Sequence, residues 1–439
     1  MAAKVVLTSV GSLGDLHPFI ALARELRRLG FHPIIAASSA YRAKVEAEGL
    51  AFHAVAPSPE QLLADTGMTE GDIVRQVVRS STTFIVEKTV APYADESYAD
   101  FLAAMQGAEL VVASSFSLVA RVAAEKLGLP VMSLLLSPCV FFSAEEPAHL
   151  MELPWLPAFR RRFGARAAKL MLDLGRMQSR RQTRAITALR RRVGAPLPKG
   201  DEVLDGPLRA DLIAAAYSPL LGPVPPDAPA GSAIVGFTFY DSEHGGSGGL
   251  SPKLVEFLTA GPPPLVFSLG SFGVHAESGF YESAVAASRR LGMRAVLLVG
   301  PESERRLAHL GADDVAVAGY APHSLVFPHA AAIVHHGGIG TIAQALRAGR
   351  RQLVCPMLGD QADNAERLIR LGVARRLDHR RFNPDTAEDA LRALLADAAA
   401  ARRAERCALQ VSSENGAQAA AELAAAFLNG LKPATQRPG

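Results

Sequence analysis

The sequence has only three cysteines, Cys139, Cys355 and Cys407. They are far apart and odd in number, so neither a disulfide framework nor a zinc-ligand spacing is present. No apolar run reaches the roughly 18 residues that a membrane-spanning helix needs. The N-terminus, MAAKVVLTSV, has one lysine and a short apolar run, without the length or flanks of a signal peptide. A reducing cytoplasm is the expected setting. Surplus charge is small too: a net charge of +3 is less than a nucleic-acid binder usually shows. Neither D-x-D nor H-E-x-x-H occurs, which leaves no familiar metal-catalysis motif.

What the chain does have is length and apolar content. Its 439 residues, 49% hydrophobic and 20% charged, suit a globular protein of two domains. The first half alternates strands and helices. Lys4 to Ser9 is a β-branched run, Gly11 to Gly14 a glycine turn, and Pro18 opens a helix that ends near Gly30. Strands are expected at Pro33–Ala37, Leu110–Ala113 and Val131–Leu136. Turn-rich tracts at Pro219–Pro229 and Gly245–Gly249 place a domain boundary near residue 225. The second half repeats the rhythm, with strands at Leu265–Ser268, Ala295–Val299, Val315–Gly319, Ala332–Val334 and Arg351–Pro356. The expected division is 1–225, 226–415, and a terminal helix with a mobile tail over 416–439. The fold class is α/β, with parallel sheets covered on both faces. Ligands in such sheets sit beyond the carboxyl ends of the strands.

The most informative segment is His335-His336-Gly337-Gly338-Ile339-Gly340-Thr341, between a strand and a helix. Glycines there let backbone N–H groups approach a ligand, and the helix start adds free donors and a positive dipole end. Together they suit a diphosphate. His335 and Thr341 could add side-chain contacts. The plain alternative is a glycine turn chosen for close packing. Ser268-Leu269-Gly270-Ser271 ends a second strand and could offer donors to the same phosphates. Asp360 and Gln361 start a later helix; they suit vicinal sugar hydroxyls, and Asp360 equally suits an N-cap.

In the first half, Gly11-Ser12-Leu13-Gly14-Asp15-Leu16-His17-Pro18 lacks the G-x-G-x-x-G spacing. The second strand also lacks the acid of a dinucleotide site, so hydride transfer is disfavoured. Asp15 is either a helix cap or a base that takes a proton from an acceptor hydroxyl. His17 is the rival base or a wall of the acceptor pocket. An apolar lining is expected from loops near residues 57–100 and 137–185, including Phe141, Phe142, Trp155 and Leu156. A basic cluster from Arg160, Arg161, Arg162 and Arg166 to Arg190, Arg191 and Arg192 is either a solvated face or a contact for an anionic membrane or acceptor.

His335 to Thr341, then Pro356, Asp360, Gln361 and Asn364, resembles the donor signature of family 1 glycosyltransferases. Within that family the glycine turn with Asp15 and Pro18 is most similar to bacterial enzymes acting in the manner of rhamnosyltransferases or on flavonoids, macrolides and sterols. The resemblance implies the GT-B fold, two Rossmann-like domains facing across a cleft. It implies an inverting transfer from a nucleotide diphosphate sugar, a co-substrate, onto a small apolar acceptor, with no metal or cofactor. It implies Asp15 as base, Tyr320 where a tryptophan commonly stacks on the nucleobase, His323 in place of a frequent glutamine at the donor, Gly14 as a further donor-binding residue, and His335, Gly337, Gly338, Gly340 and Thr341 at the phosphates. Asp360 and Gln361 fall at the sugar. Ser115 falls in the acceptor region, where plant relatives carry an aspartate. Ala343 stands where a ribose-binding glutamate is frequent, so no ribose contact is carried over. An epimerase of the same fold, a lipid-linked cell-wall glycosyltransferase and a non-catalytic sugar-binding protein stay open as alternatives.

Overall fold

The computed structural model describes residues 2–430 apart from 81, 242–248 and 271–278. The chain forms two units. The first runs to Tyr240 and takes back the residues from Asn415 onward; the second is Asp241–Glu414.

The first unit is built on a parallel sheet of β1 (Lys4–Thr8), β2 (His32–Ala37), β3 (Ala51–Ala54), β4 (Ala108–Ala113), β5 (Val131–Leu135), β6 (Leu212–Ala215) and β7 (Ala233–Ile234). Their order is β3-β2-β1-β4-β5-β6-β7. Val5, Val6 and Leu7 are fully buried, as expected of a strand covered by helices on both faces. The expected boundary near residue 225 falls inside this unit, because β7 pairs with β6 and keeps the chain in the first sheet.

Five helices of this unit matter below: α1 (Leu13–Arg28), α2 (Leu156–Phe163), α3 (Ala165–Gln182), α4 (Arg184–Val193) and, after the second unit, the terminal helix Gly416–Leu428. The terminal helix lays Ala420, Ala421 and Ala424 into the same core as Phe19, Leu22 and Leu26 of α1. Its first residue, Gly416, donates to the Phe237 carbonyl at 3.0 Å. A Cβ at Gly416 would overlap the Gly236 carbonyl, so only glycine fits.

The second unit holds β8 (Leu265–Ser268), β9 (Ala295–Leu298), β10 (Val315–Ala318), β11 (Ala332–His335), β12 (Gln352–Val354) and β13 (Ala374–Arg376), also parallel, in the order β10-β9-β8-β11-β12-β13. Two of its helices position the site, α5 (Ile339–Arg347) and α6 (Gln361–Leu371). In each sheet the strand order reverses once, between β1 and β4 in the first and between β8 and β11 in the second. Ligand crevices of open α/β sheets open at such reversals.

Candidate active site

At the reversal of the first sheet, Thr8 of β1 lies in register with Ala113 of β4. The loop after β1 turns into α1 earlier than expected. Pro18 lies inside α1, not at its start, because Ser12-x-x-Asp15 forms a capping box. Asp15 is therefore the third helical residue, and Ser12 is the N-cap. The Asp15 Oδ2 accepts from the Ser12 N–H at 2.8 Å and from its hydroxyl at 3.1 Å. Neither bond uses Oδ1. Burial raises the carboxyl pKa above its ordinary value, and the Ser12 bonds oppose that rise. Gly11, at φ +138°, is required here, since a Cβ would overlap the Asp15 carboxylate. Tyr41 donates to the Gly11 carbonyl at 2.7 Å. Its phenol is pushed up by burial and by the Asp15 charge, which locates it in the same electrostatic environment.

The other first-unit candidates gather at the same end of that sheet. Gly14, exposed in the first turn of α1, donates to the Ser12 hydroxyl. The His17 ring tilts against Tyr240 with centroids 4.8 Å apart. Ser115 sits half-buried in the turn after β4, and Phe141 and Phe142 lie beyond β5. Phe141 is buried and Phe142 half-buried. Phe142 has φ +44°, unique for a non-glycine among the described residues. Such a conformation costs on the order of 1 kcal/mol and persists where neighbours hold it. Here Asp227 supplies the hold, accepting from the Ser143 hydroxyl and from the Ala144 N–H at 2.7 Å. Leu156, expected in the acceptor lining, is instead fully buried in a small core with Ala144, Ala168 and Leu172, while Trp155 beside it is exposed.

At the reversal of the second sheet, Ser268 and His335 are register partners, so their two loops start side by side. Helix α5 begins at Ile339, not Thr341, with Gly338 as a backbone N-cap that has no capping side chain. The first-turn N–H groups of Ile339, Gly340 and Thr341 thus face outward along the helix axis, as free helix-start donors do. Thr341 itself is buried. Gly337, at φ +97°, has Val354 and the Gln361 carbonyl so close that a Cβ would lie 2.9 and 3.1 Å from them.

His335 does not offer its ring to a ligand in this arrangement. It is fully buried, donates from Nε2 to Gln352 Oε1 at 2.9 Å and accepts the Gly337 N–H on Nδ1 at 3.0 Å. Burial, with a smaller contribution from neighbouring His336, lowers its pKa to about 3, so it is neutral and fixes the glycine turn from behind. The adjacent histidine is the one at the loops. A Cβ on Gly270 would lie 2.7 Å from Cε1 of His336, and one on Gly338 would overlap its Nε2. His336 is half-buried, and burial lowers its pKa to about 4. Sequence spacing could not choose between two consecutive histidines; strand alternation does, turning one inward and the next away.

Asp360 and Gln361 are tied into the same turn. Asp360 occupies the N-cap position of α6, yet its side chain makes no capping bond; Oδ2 instead accepts from Asn364 Nδ2 at 2.7 Å. Asn364 Nδ2 also donates to the Gly337 carbonyl at 3.0 Å. This one amide links the phosphate-type turn to the acid loop, a role that the sequence did not assign. Gln361 folds back, its Oε1 accepting from Met357 and Leu358 N–H at 2.8 and 3.2 Å. Tyr320 is exposed beyond β10. His323 stacks on Phe327 at 4.3 Å and approaches Ser268 Oγ with Nε2 at 3.4 Å. Asp241 accepts from the backbone N–H groups of His323 and Ser324 and from Gln344, joining this loop to α5. Ser271 lies outside the described residues. Among the described residues no group of three or more His, Cys, Asp or Glu could hold a metal ion.

Two family models match the chain. Residues 5–140 match the glycosyltransferase family 28 N-terminal domain, and residues 286–426 match the erythromycin biosynthesis protein CIII-like C-terminal domain. The chain is similar to O-mycaminosyltylonolide 6-deoxyallosyltransferase of Streptomyces fradiae, 30% identical over 436 residues with 96% of each chain covered. It is 29% identical to vancomycin aglycone glucosyltransferase of Amycolatopsis orientalis, with 84% of each covered. Among solved structures it resembles spinosyn rhamnosyltransferase SpnG complexed with thymidine diphosphate, at TM-score 0.66 and 21% identity, covering 97% of this chain and 99% of that one. Two parallel Rossmann-like sheets, a glycine turn at the second sheet's reversal and these relatives agree: the chain belongs to the family 1 glycosyltransferases of GT-B fold.

Proposed function

We propose that this glycosyltransferase moves a hexose or 6-deoxyhexose from a nucleoside diphosphate, of the UDP-glucose or dTDP-rhamnose type, onto a hydroxyl of an apolar acceptor, with inversion. The observation that carries the reading is the Gly337–Thr341 turn, whose free helix-start donors lie beside Ser268 where the second sheet reverses. Those donors match the charge that develops on a departing diphosphate, a preorganised electrostatic contribution. His336 and Gly270 flank the turn, and Tyr320 and His323 belong to the next loop, where a nucleobase would lie. Asp360 would meet sugar hydroxyls, held from behind by the buried Asn364 amide.

The first unit supplies the base. Asp15 Oδ1 takes the acceptor proton as the acceptor oxygen attacks the anomeric carbon. The bond from that carbon to the β-phosphate oxygen breaks, and its electron pair leaves with the diphosphate. Ser115, His17, Phe141 and Phe142 would surround the acceptor. The named relatives transfer sugars to O-mycaminosyltylonolide and to the vancomycin aglycone, which supports a bulky acceptor. The SpnG complex with thymidine diphosphate supports a nucleoside diphosphate leaving group. No step requires a metal ion, since the helix start provides the positive end, and a chelator should leave turnover intact.

The deciding experiment is a donor panel, UDP-glucose against dTDP-rhamnose, with a macrolide and a polyphenol acceptor and mass-spectrometric readout. Acceptor-dependent mass gain supports the reading. Conversion of the donor with no acceptor present would sink it in favour of an epimerase.

A further inference from the structure

The sequence from residue 155 to 192 holds twelve arginines and lysines against one acid, Asp173, in a chain whose net charge is +3. The remainder of the chain is therefore net negative, at −8. The basic island is not all surface. Arg190 is fully buried, bonded from Nε to Glu202 at 2.6 Å, and Arg160 pairs with Glu145. Arg161, Arg162, Arg166, Arg180, Arg181 and Arg184 remain exposed.

Helix α3 carries two apolar stripes where a surface helix needs one. Its inner stripe, Ala168 and Leu172, is buried in the small core with Leu156. Its outer stripe, Leu170, Leu174 and Met177, is 58%, 50% and 63% exposed. The spacing of four and three residues puts these three on one face, opposite the buried pair. Arg166 and Arg181 extend the same face at each end. Helix α2 continues the pattern with Trp155, Phe159 and Phe163, a ladder of rings 5.5 and 4.7 Å apart, of which Trp155 and Phe163 are exposed.

We infer that the outer face of α2 and α3 is a docking surface for an anionic lipid bilayer. Charge and apolarity together select this occupant. A second copy of the chain would bring one basic island against another across a two-fold interface. A polyanion such as nucleic acid would satisfy the arginines but leave the Leu170–Met177 stripe against its charged backbone. A bilayer surface offers acidic headgroups to the arginines and an apolar boundary to the leucines and rings, as interfacial amphipathic helices use it. No helix among the described residues is long and apolar enough to cross a membrane.

The test is co-flotation of the full chain with phosphatidylcholine vesicles, with and without phosphatidylglycerol. Binding is expected only with phosphatidylglycerol, and should weaken at high salt. Leu170→Ser, Leu174→Ser and Met177→Ser together should reduce it about tenfold or more, as should Arg166→Glu with Arg181→Glu, each arginine near a charged bilayer contributing about fivefold. These positions are exposed, so the thermal midpoint should hold; were the serine variant to unfold, the charge pair carries the test. Absence of flotation with acidic vesicles overturns the inference. So does binding that follows the arginines but ignores the apolar stripe. A concentration-dependent dimer abolished by the serine substitutions, without vesicle binding, would assign the surface to a second copy instead.

Discussion

Ser12 holds Asp15 through a single carboxylate oxygen, donating both its backbone N–H and its hydroxyl to Oδ2 at 2.8 and 3.1 Å. The same contact that begins α1 therefore aims Asp15 and leaves Oδ1 out of the capping box. Asp15→Asn keeps an oxygen for Ser12 but cannot accept a proton. It should lower kcat by about 10²–10⁴-fold while calorimetric affinity for the donor nucleotide stays unchanged. A variant with wild-type turnover would remove Asp15 as the base.

The raised pKa of Asp15 also fixes a pH response. A base must be ionised, so activity should fall as pH drops through a value above the roughly 3.9 of an ordinary aspartate. The Ser12 hydroxyl favours the ionised form. Ser12→Ala should move the acidic limb of the kcat/KM profile to higher pH, at a stability cost of about 1 kcal/mol for the lost cap. A limb that shifts downward would contradict the assignment.

His335 predicts a stability effect rather than a rate effect. An unfolded histidine titrates near 6.5, whereas burial holds this one to about 3. Below pH 6.5 the unfolded chain gains a proton that the folded chain refuses. The stabilisation is thus complete above 6.5 and is lost as pH falls toward 3, by up to about 1.4 kcal/mol per pH unit. His336 acts in the same direction, its pKa being lowered to about 4. Denaturant titrations between pH 7 and 4 should show this slope, and His335→Asn should make it shallower. An unchanged slope would mean that the ring is hydrated.

The glycine turn tolerates no side chain at 337. A methyl there meets Val354 Cγ1 at 2.9 Å on a residue held at φ +97°. Gly337→Ala should shift the helix start and weaken binding of UDP or dTDP by an order of magnitude or more, read by titration calorimetry, with the first unit's capping box undisturbed.

Asn364 is expected to act through its neighbours. Asn364→Ala removes its bonds to the Gly337 carbonyl and to Asp360, so KM for the donor should rise about tenfold or more, in keeping with about 1.5–3 kcal/mol for a bond to a charged group. Asn364→Asp keeps the shape but places two carboxylates together, and should be worse than alanine. Equal KM values for all three proteins would show that the bridge is not used.

Much of this was legible beforehand because it depends on local rules. β-Branched runs between glycine turns marked the parallel strands; the strand order, which only the structure supplies, sets the Gly337 and Asp15 loops at its two reversals. The Ser12-x-x-Asp15 box was also present in the sequence, but Pro18 drew the helix start too late; proline is tolerated within α1 without ending it. What the sequence could not show depends on contacts made far along the chain. Gln352, on the neighbouring strand, gives the inward-facing His335 ring its partner, and Asn364 reaches the Gly337 carbonyl from another helix. Likewise Arg190 reads as one more surface arginine until Glu125 and Glu202 close around it.

The return of the chain after Glu414 makes the second unit an insertion within the first, and this governs how the protein divides. Residues 241–414 contain every strand of their own sheet and should fold as an independent fragment that still retains nucleotide. A chain cut at residue 414 should behave oppositely. Without the alanine face of its last helix, α1 would show Phe19, Leu22 and Leu26 to water, and the truncated protein should clump rather than fold.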